Sequence, residues 1–155
     1  MGAHRMNVPK ELAEYKLERA EIVVYLPADW NISDHEEKNY WPLRWLKILA
    51  RLPLEEDSWL GWGHSVPNGK PFAENTQLSS VLLVNPENVE EGAAVCQLPN
   101  GEEVNFYQMI PLYEEEVHFK IQNGAETLLG KMGEISAVVD IHRLNVCEGF
   151  GRPKE

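Results

Sequence analysis

Cysteine is scarce. Cys96 and Cys147 are the only two, they lie far apart, and neither sits in a CxxC or Cys/His spacing. A metal framework needs clustered ligands, so none is expected, and free thiols point to a reducing compartment. Basic charge is also short. Lys plus Arg number 14 against 25 Asp plus Glu, a net charge of −11. That balance opposes binding to nucleic acid or to an anionic membrane, both of which reward basic patches. It suits a basic protein partner. No run of residues reaches the length of a membrane span, and the opening MGAHRMNVPKELAEYK has no apolar leader core, so a cytoplasmic location is expected. Repeats, low-complexity tracts and linkers are missing, and 155 residues fit one domain with a sizeable core. The expectation is a single domain over 1–155 with frayed ends at about 1–8 and 149–155.

What the chain does have is tryptophan, concentrated from Asn39 to Gly69. Four of its five tryptophans, Trp41, Trp45, Trp59 and Trp62, lie there, and Trp30 is just upstream. The first part of this stretch reads as an amphipathic helix. Leu43, Leu46 and Ala50 beside Trp45, Leu49 and Leu52 form a wide apolar stripe, with Arg44, Lys47 and Arg51 opposite. Pro42 suits the first turn, and Pro53 is expected to end the helix. An acidic turn, Glu55-Glu56-Asp57, follows. Leu60 to Val66 is a strand candidate, and Pro67-Asn68-Gly69 is a turn.

Elsewhere, Lys10 to Ala20 reads as a short helix and Glu21 to Leu26 as a strand stopped by Pro27. Ser33-Asp34-His35-Glu36 has the capping-box pattern. Leu78 to Val84 is apolar throughout, which suggests a strand covered on both faces. Pro99-Asn100-Gly101 between two β-rich runs is a strong hairpin signal, because Asn and Gly tolerate positive φ. The second arm, Glu102 to Ile110, alternates with period two. Pro111 is expected to open a helix with Glu114, Glu115 and Glu116 in its first turn, where the helix dipole favours acid, and with Tyr113, Val117 and Ile121 on one face. Gly124 closes it. Ala125 to Met132 is another helix, and Ala137 to Ile141 a last strand. The fold class expected is α+β: a mixed, largely antiparallel sheet packed with several helices.

Candidate chemistry is sparse. His64, His118, Asp140 and His142 are the residues an enzyme would use, as acid–base or metal groups, if folding gathered them. Glu115-x-x-His118 has the spacing of half a di-metal helix motif and lacks its second half, so a solvated helix face accounts for it better. Ser79-Ser80 lies in a strand rather than a GxSxG elbow, and Gly61-x-Gly63 has no following helix to cradle a phosphate. No cofactor is expected. For the tryptophans themselves core packing is the stronger reading, and the functional alternative is a protein-contact site made of Trp59, Trp62 and His64 with Glu55, Glu56 and Asp57 just upstream. Tryptophan is over-represented at binding hot spots, glycines 61 and 63 leave room for a partner backbone, and the acids would steer a basic ligand.

The order of these pieces resembles the suppressor of fused domain family. The resemblance is carried by Leu26-Pro27-Ala28-Asp29-Trp30 and by Trp41-Pro42 leading into Leu46-x-x-Leu49-Ala50-Arg51. Gly63-His64-Ser65-Val66 and Leu82-Leu83-Val84-Asn85-Pro86 follow. The rest is the run Val104 to Leu112 into Glu114-Glu115-Glu116, Asn123-Gly124 before Leu128-Leu129, and Val139-Asp140-Ile141-His142-Arg143. It runs collinearly from about residue 20 to 146. The resemblance implies an α+β domain without catalysis that binds another protein. The small bacterial members look like immunity proteins of polymorphic toxin systems, neutralising a toxin by binding it. A regulatory module that sequesters another protein is the neighbouring reading.

Overall fold

The computed structural model describes residues 1–151 except 88, 91 and 137, and the backbone alone at 135 and 136. A 3-10 turn at Lys10–Tyr15 precedes β1 (Ala20–Val23), α1 (Glu37–Glu55), β2 (Ser65–Pro67), β3 (Ser80–Val84), β4 (Val95–Gln97) and β5 (Glu103–Leu112). Two helices follow, α2 (Glu114–Asn123) and α3 (Ala125–Met132), and then a second 3-10 turn at Gly133–Ser136. The five strands form one mixed sheet in the order β1-β5-β3-β2, with β4 also on β5. β1 runs parallel to β5, while the β2–β3 and β4–β5 pairs are antiparallel. The α+β class read from the sequence is therefore the class observed. Contacts divide the chain into two compact units, and β3, β5 and α1 each contribute residues to both.

The first unit comprises Met1–Val24, Pro42–His64 and Leu83–Met109. Its hairpin forms where Asn100-Gly101 predicts it, with Gly101 at φ 86° and Gln97 opposite Glu103. β1 lies on the other side of β5, Ala20 opposite Asn105. Trp45 and Leu49 of α1 are buried as the stripe requires, and Arg44, Lys47 and Arg51 are exposed. Pro53 does not end the helix. It sits buried in the last turn, where its carbonyl still accepts the Ser58 N–H at 3.0 Å. A proline lacks a donor but keeps its acceptor, so a terminal turn tolerates it. Nor is the start of the chain frayed. Gly2 donates to Glu21 Oε1 at 2.6 Å, Met6 N–H to the Glu18 carbonyl at 2.7 Å, and Met6 is buried.

Arg5 and Arg19 both reach Glu102 at the mouth of the hairpin, Arg19 Nε at 2.5 Å. The Arg5 and then the Arg19 hydrogen bonds hold the Glu102 carboxyl down at about 2, from an ordinary 4.5. A depressed carboxyl stabilises the fold fully above its unfolded value, and that contribution disappears as pH falls toward the folded value. Glu102→Gln is thus expected to lower the melting temperature near neutrality, with the gap to wild type closing between about pH 4.5 and about 2. Added salt should shrink the gap, because the site is near the surface. Thermal melts across that range check this. A gap that persists undiminished at the acid end would show that the carboxylate charge is not the cause.

The second unit comprises Tyr25–Trp41, Ser65–Leu82 and Ile110–Glu155. Trp41 is 1% exposed and stacks on Phe72, ring centroids 4.5 Å apart and planes 3° apart. Trp30 meets Trp41 edge-on at 6.2 Å, and its indole N–H donates to the Asn39 carbonyl at 2.8 Å. All five residues of β3, three of them in this unit, are buried, as their apolar run implies. Three expectations change. Pro111 belongs to the end of β5 rather than to a helix, because φ near −65° also fits a strand end, and α2 begins at Glu114. The α2 face Tyr113–Val117–Ile121 is not the buried one. Ile121 is 70% exposed, while Glu115 and Glu116 are buried. The last strand does not form at residues 138–141, which are irregular and lead into a turn at Ile141; Ala137 lies outside the described residues. Likewise the strand expected over 60–66 is present only from Ser65, residues 61–64 being turn.

α3 occupies the span its periodicity predicts. Ala125, Leu128 and Met132 form its buried face, and Gly124 at φ 93° separates it from α2. Among the described residues no helix is long and apolar enough to cross a membrane.

Candidate functional site

The stretch singled out from sequence, residues 55–64, lies wholly in the first unit. Glu55, Glu56 and Asp57 are exposed where α1 ends. Asp57 takes φ 47°, a left-handed value that aspartate tolerates and that turns the chain away from the helix axis. Two bonds then dock the following residues. Ser58 accepts from Asn7 N–H at 3.3 Å, and Leu60, 2% exposed, donates to Met6 Sδ at 3.4 Å.

The turn beyond is locked from inside. Gly61 N–H donates to His64 Nδ1 at 3.1 Å, and His64 N–H returns to the Gly61 carbonyl at 3.2 Å. An Nδ1 that accepts leaves the imidazole proton on Nε2. The Trp59 ring meets His64 edge-on at 4.4 Å. A Cβ on Gly61 would stand 2.6 Å from Trp59 Cζ3, so the missing side chain makes room for this chain's own indole and not for a partner's backbone. Gly63, at φ 82°, donates to the Leu83 carbonyl at 2.7 Å. Trp59 and His64 are thereby committed to each other. Trp62 is 41% exposed on a turn held at both ends.

The acid–base alternative fares differently. His118 is exposed on α2, Asp140 and His142 are exposed, and the Asp140 carboxylate accepts the His142 backbone N–H at 3.0 Å. Among the described residues no group of three or more His, Cys, Asp or Glu side chains is placed to hold a metal ion.

The second unit contains an arrangement that the sequence reading missed. Glu116, 0% exposed, receives both Arg143 guanidinium nitrogens, Nη1 at 2.7 Å and Nη2 at 2.5 Å. Arg143 donates further to the Pro111 and Leu144 carbonyls, each at 2.9 Å. Glu116 also accepts from Tyr113 N–H at 2.8 Å and Val146 N–H at 3.2 Å. The Tyr113 hydroxyl donates to the Arg143 carbonyl at 2.6 Å, and its ring lies 4.9 Å from the guanidinium carbon. Glu115 accepts from Asn145 at 2.8 Å. Together these bonds clasp residues 143–146 onto the first turn of α2. Burial, and then Glu116, pushes the Cys147 thiol above its usual range, which makes it a poor nucleophile. Beside the clasp is a cleft of about 510 Å³ bordered by Lys70, Ser79, Tyr113, Glu115 and Asn145. Its described lining includes no histidine or cysteine, so it offers polar contacts without a nucleophile–base pair. The one signal in the sequence was Glu116 itself, at the third position of α2, where a carboxylate reaches back to an unsatisfied N–H.

Comparison with known proteins bears on both units. A family model described as suppressor of fused protein (SUFU) matches residues 1–144. An uncharacterized protein of Ureaplasma parvum is 28% identical over 144 residues, covering 92% of this chain and 68% of that protein. Among solved structures, the Sufu–Fu complex superposes with a TM-score of 0.58 at 16% identity, over 69% of this chain and 46% of that one. Drosophila Suppressor of Fused gives 0.57 at 16% identity, over 69% of this chain and 25% of that one. The chain thus spans less than half the length of either solved protein, and the likeness to them is one of fold.

Proposed function

This chain belongs to the suppressor of fused family, and from that premise we propose that it is a non-enzymatic protein-binding module that uses the turn carrying Trp62. One observation supports this most directly. A large indole is left 41% exposed on a turn whose other aromatic, whose histidine and whose glycines are all engaged in holding it in shape. A rigid, exposed indole loses little entropy on binding and buries much area, which is why tryptophan recurs at hot spots. The exposed Glu55, Glu56 and Asp57, on a chain of net charge −11, favour a basic partner and act mainly on its association rate. One of the similar structures is a complex of two proteins, Sufu and Fu. The partner class that fits the size and charge is a basic toxin domain, which this chain neutralises in the cytoplasm as an immunity protein.

The test has two arms. A basic toxin domain found encoded beside this chain would be expressed in a bacterial host with and without it, and growth followed. Titration calorimetry then compares wild type with Trp62→Ala. The expected results are rescue of growth by wild type and a loss of roughly 2 kcal/mol or more in binding for the variant. Its stability should stay within about 0.5 kcal/mol of wild type, as for an exposed position. A well-folded Trp62→Ala with unchanged affinity would remove this turn from the interface. Absence of both rescue and binding would remove the toxin as partner.

A further inference from the structure

Lys120 differs from Arg143 and Lys131 in what it meets. Arg143 is saturated by Glu116 and two carbonyls. Lys131 lies over the Phe119 ring at 5.3 Å. Lys120 extends from α2 to the edge strand β2, where its Nζ is 3.1 Å from Ser65 Oγ. Its neighbour one turn back, Glu116, is turned toward Arg143. The side chain is half-buried, and among the described residues the neutral Ser65 hydroxyl is the polar partner of Nζ, with no carboxylate paired to it. The chain has 25 acidic residues, yet no carboxylate among the described residues is paired with this ammonium.

We infer that Lys120 is a nucleophilic amine and a site of Nε-acylation by small acyl thioesters. A lysine ammonium does not attack a carbonyl; the neutral amine does. Desolvation without an opposing carboxylate favours the neutral form, and burial does push this group below the usual lysine range. Half-exposure leaves Nζ within reach of a reagent, while the Ser65 hydroxyl holds the amine in place. In the reaction the Nζ lone pair attacks the thioester carbonyl carbon. The C–N bond forms, the C–S bond breaks with its electron pair going to sulfur, and the thiolate takes up the proton that nitrogen sheds. The products are a neutral amide and a free thiol. Acylation removes the positive charge that α2 presents to the edge strand.

The full chain is incubated with acetyl coenzyme A at neutral pH, and peptide mass spectrometry gives the early acetylation rate at each lysine. Lys120 is expected to acetylate several-fold faster than the exposed Lys38 and Lys70. Ser65→Asp places a carboxylate beside Nζ and favours the ammonium over the neutral amine, so the Lys120 rate should drop to that of the exposed lysines or below. Ser65→Ala adds no charge, and its Lys120 should stay fast. Melts of each variant confirm folding. Lys120 reacting no faster than Lys38 in wild type, or unchanged by Ser65→Asp in a folded variant, overturns the assignment.

Discussion

Arg143→Met is expected to cost roughly 3–5 kcal/mol, because it leaves an uncompensated carboxylate in the interior. Glu116 is 0% exposed and the Arg143 side chain 4%, so water cannot replace the missing partner. The loss goes beyond one ion pair. Methionine keeps much of the volume, yet the Pro111 and Leu144 carbonyls lose their donor. Glu116→Gln keeps shape but loses one fork bond to an amide NH2 that cannot accept, weakens the other and strands a buried guanidinium, so a loss in the same range is expected. The double variant Arg143→Met/Glu116→Gln discriminates between pair and parts. If the charges depend on each other, it should be markedly less damaging than the two single losses added. It should still fall short of wild type, because Tyr113 N–H and Val146 N–H donate to different oxygens of Glu116 and glutamine leaves only one of them an acceptor, a neutral one. Urea denaturation of the four proteins measures this. Strict additivity would mean that the pair is not coupled and that each residue acts through its backbone contacts alone.

The same residues show where sequence reasoning works and where it stops. The hairpin at Asn100-Gly101 and the span of α3 were legible because their causes are local: two residues that accept positive φ, and an apolar period bounded by glycine. Glu114, Glu115 and Glu116 are one repeated letter with three fates. Glu114 is exposed, Glu115 meets Asn145, and Glu116 is enclosed against Arg143. Nothing local distinguishes them, because the cation that buries Glu116 comes from 27 positions downstream. The prolines erred for a related reason. Pro53 and Pro111 were read as boundaries from what a proline forbids, whereas a helix's last turn and a strand's end are places where little is forbidden. At the candidate site the composition was legible and the roles were not. Gly61 looked like an opening for a partner, but the space is filled by Trp59. Of the two indoles weighed as core or contact, Trp62 alone is largely exposed, and no pattern in the sequence separates them.

Trp41→Ala is expected to cost about 3–5 kcal/mol, the range for deleting a buried large aromatic. The indole is 1% exposed, stacked on Phe72 and capped edge-on by Trp30, so three rings share its position. The cavity left by alanine would abut both remaining rings, and neither can fill it without giving up its own contacts. Trp41→Phe is the informative comparison. Among the described residues no acceptor reaches the Trp41 indole nitrogen, and a buried donor without a partner costs about 1–3 kcal/mol. Phenylalanine loses part of the buried area but keeps a face for Phe72 and removes that donor. The two effects oppose, so the net change should stay within about 1.5 kcal/mol of wild type, the range of tolerated apolar exchanges. Denaturation midpoints of the two variants decide the matter. If Trp41→Phe proves as damaging as Trp41→Ala, the indole nitrogen must be satisfied in solution by water, and the stack with Phe72 cannot be what holds this part of the second unit together.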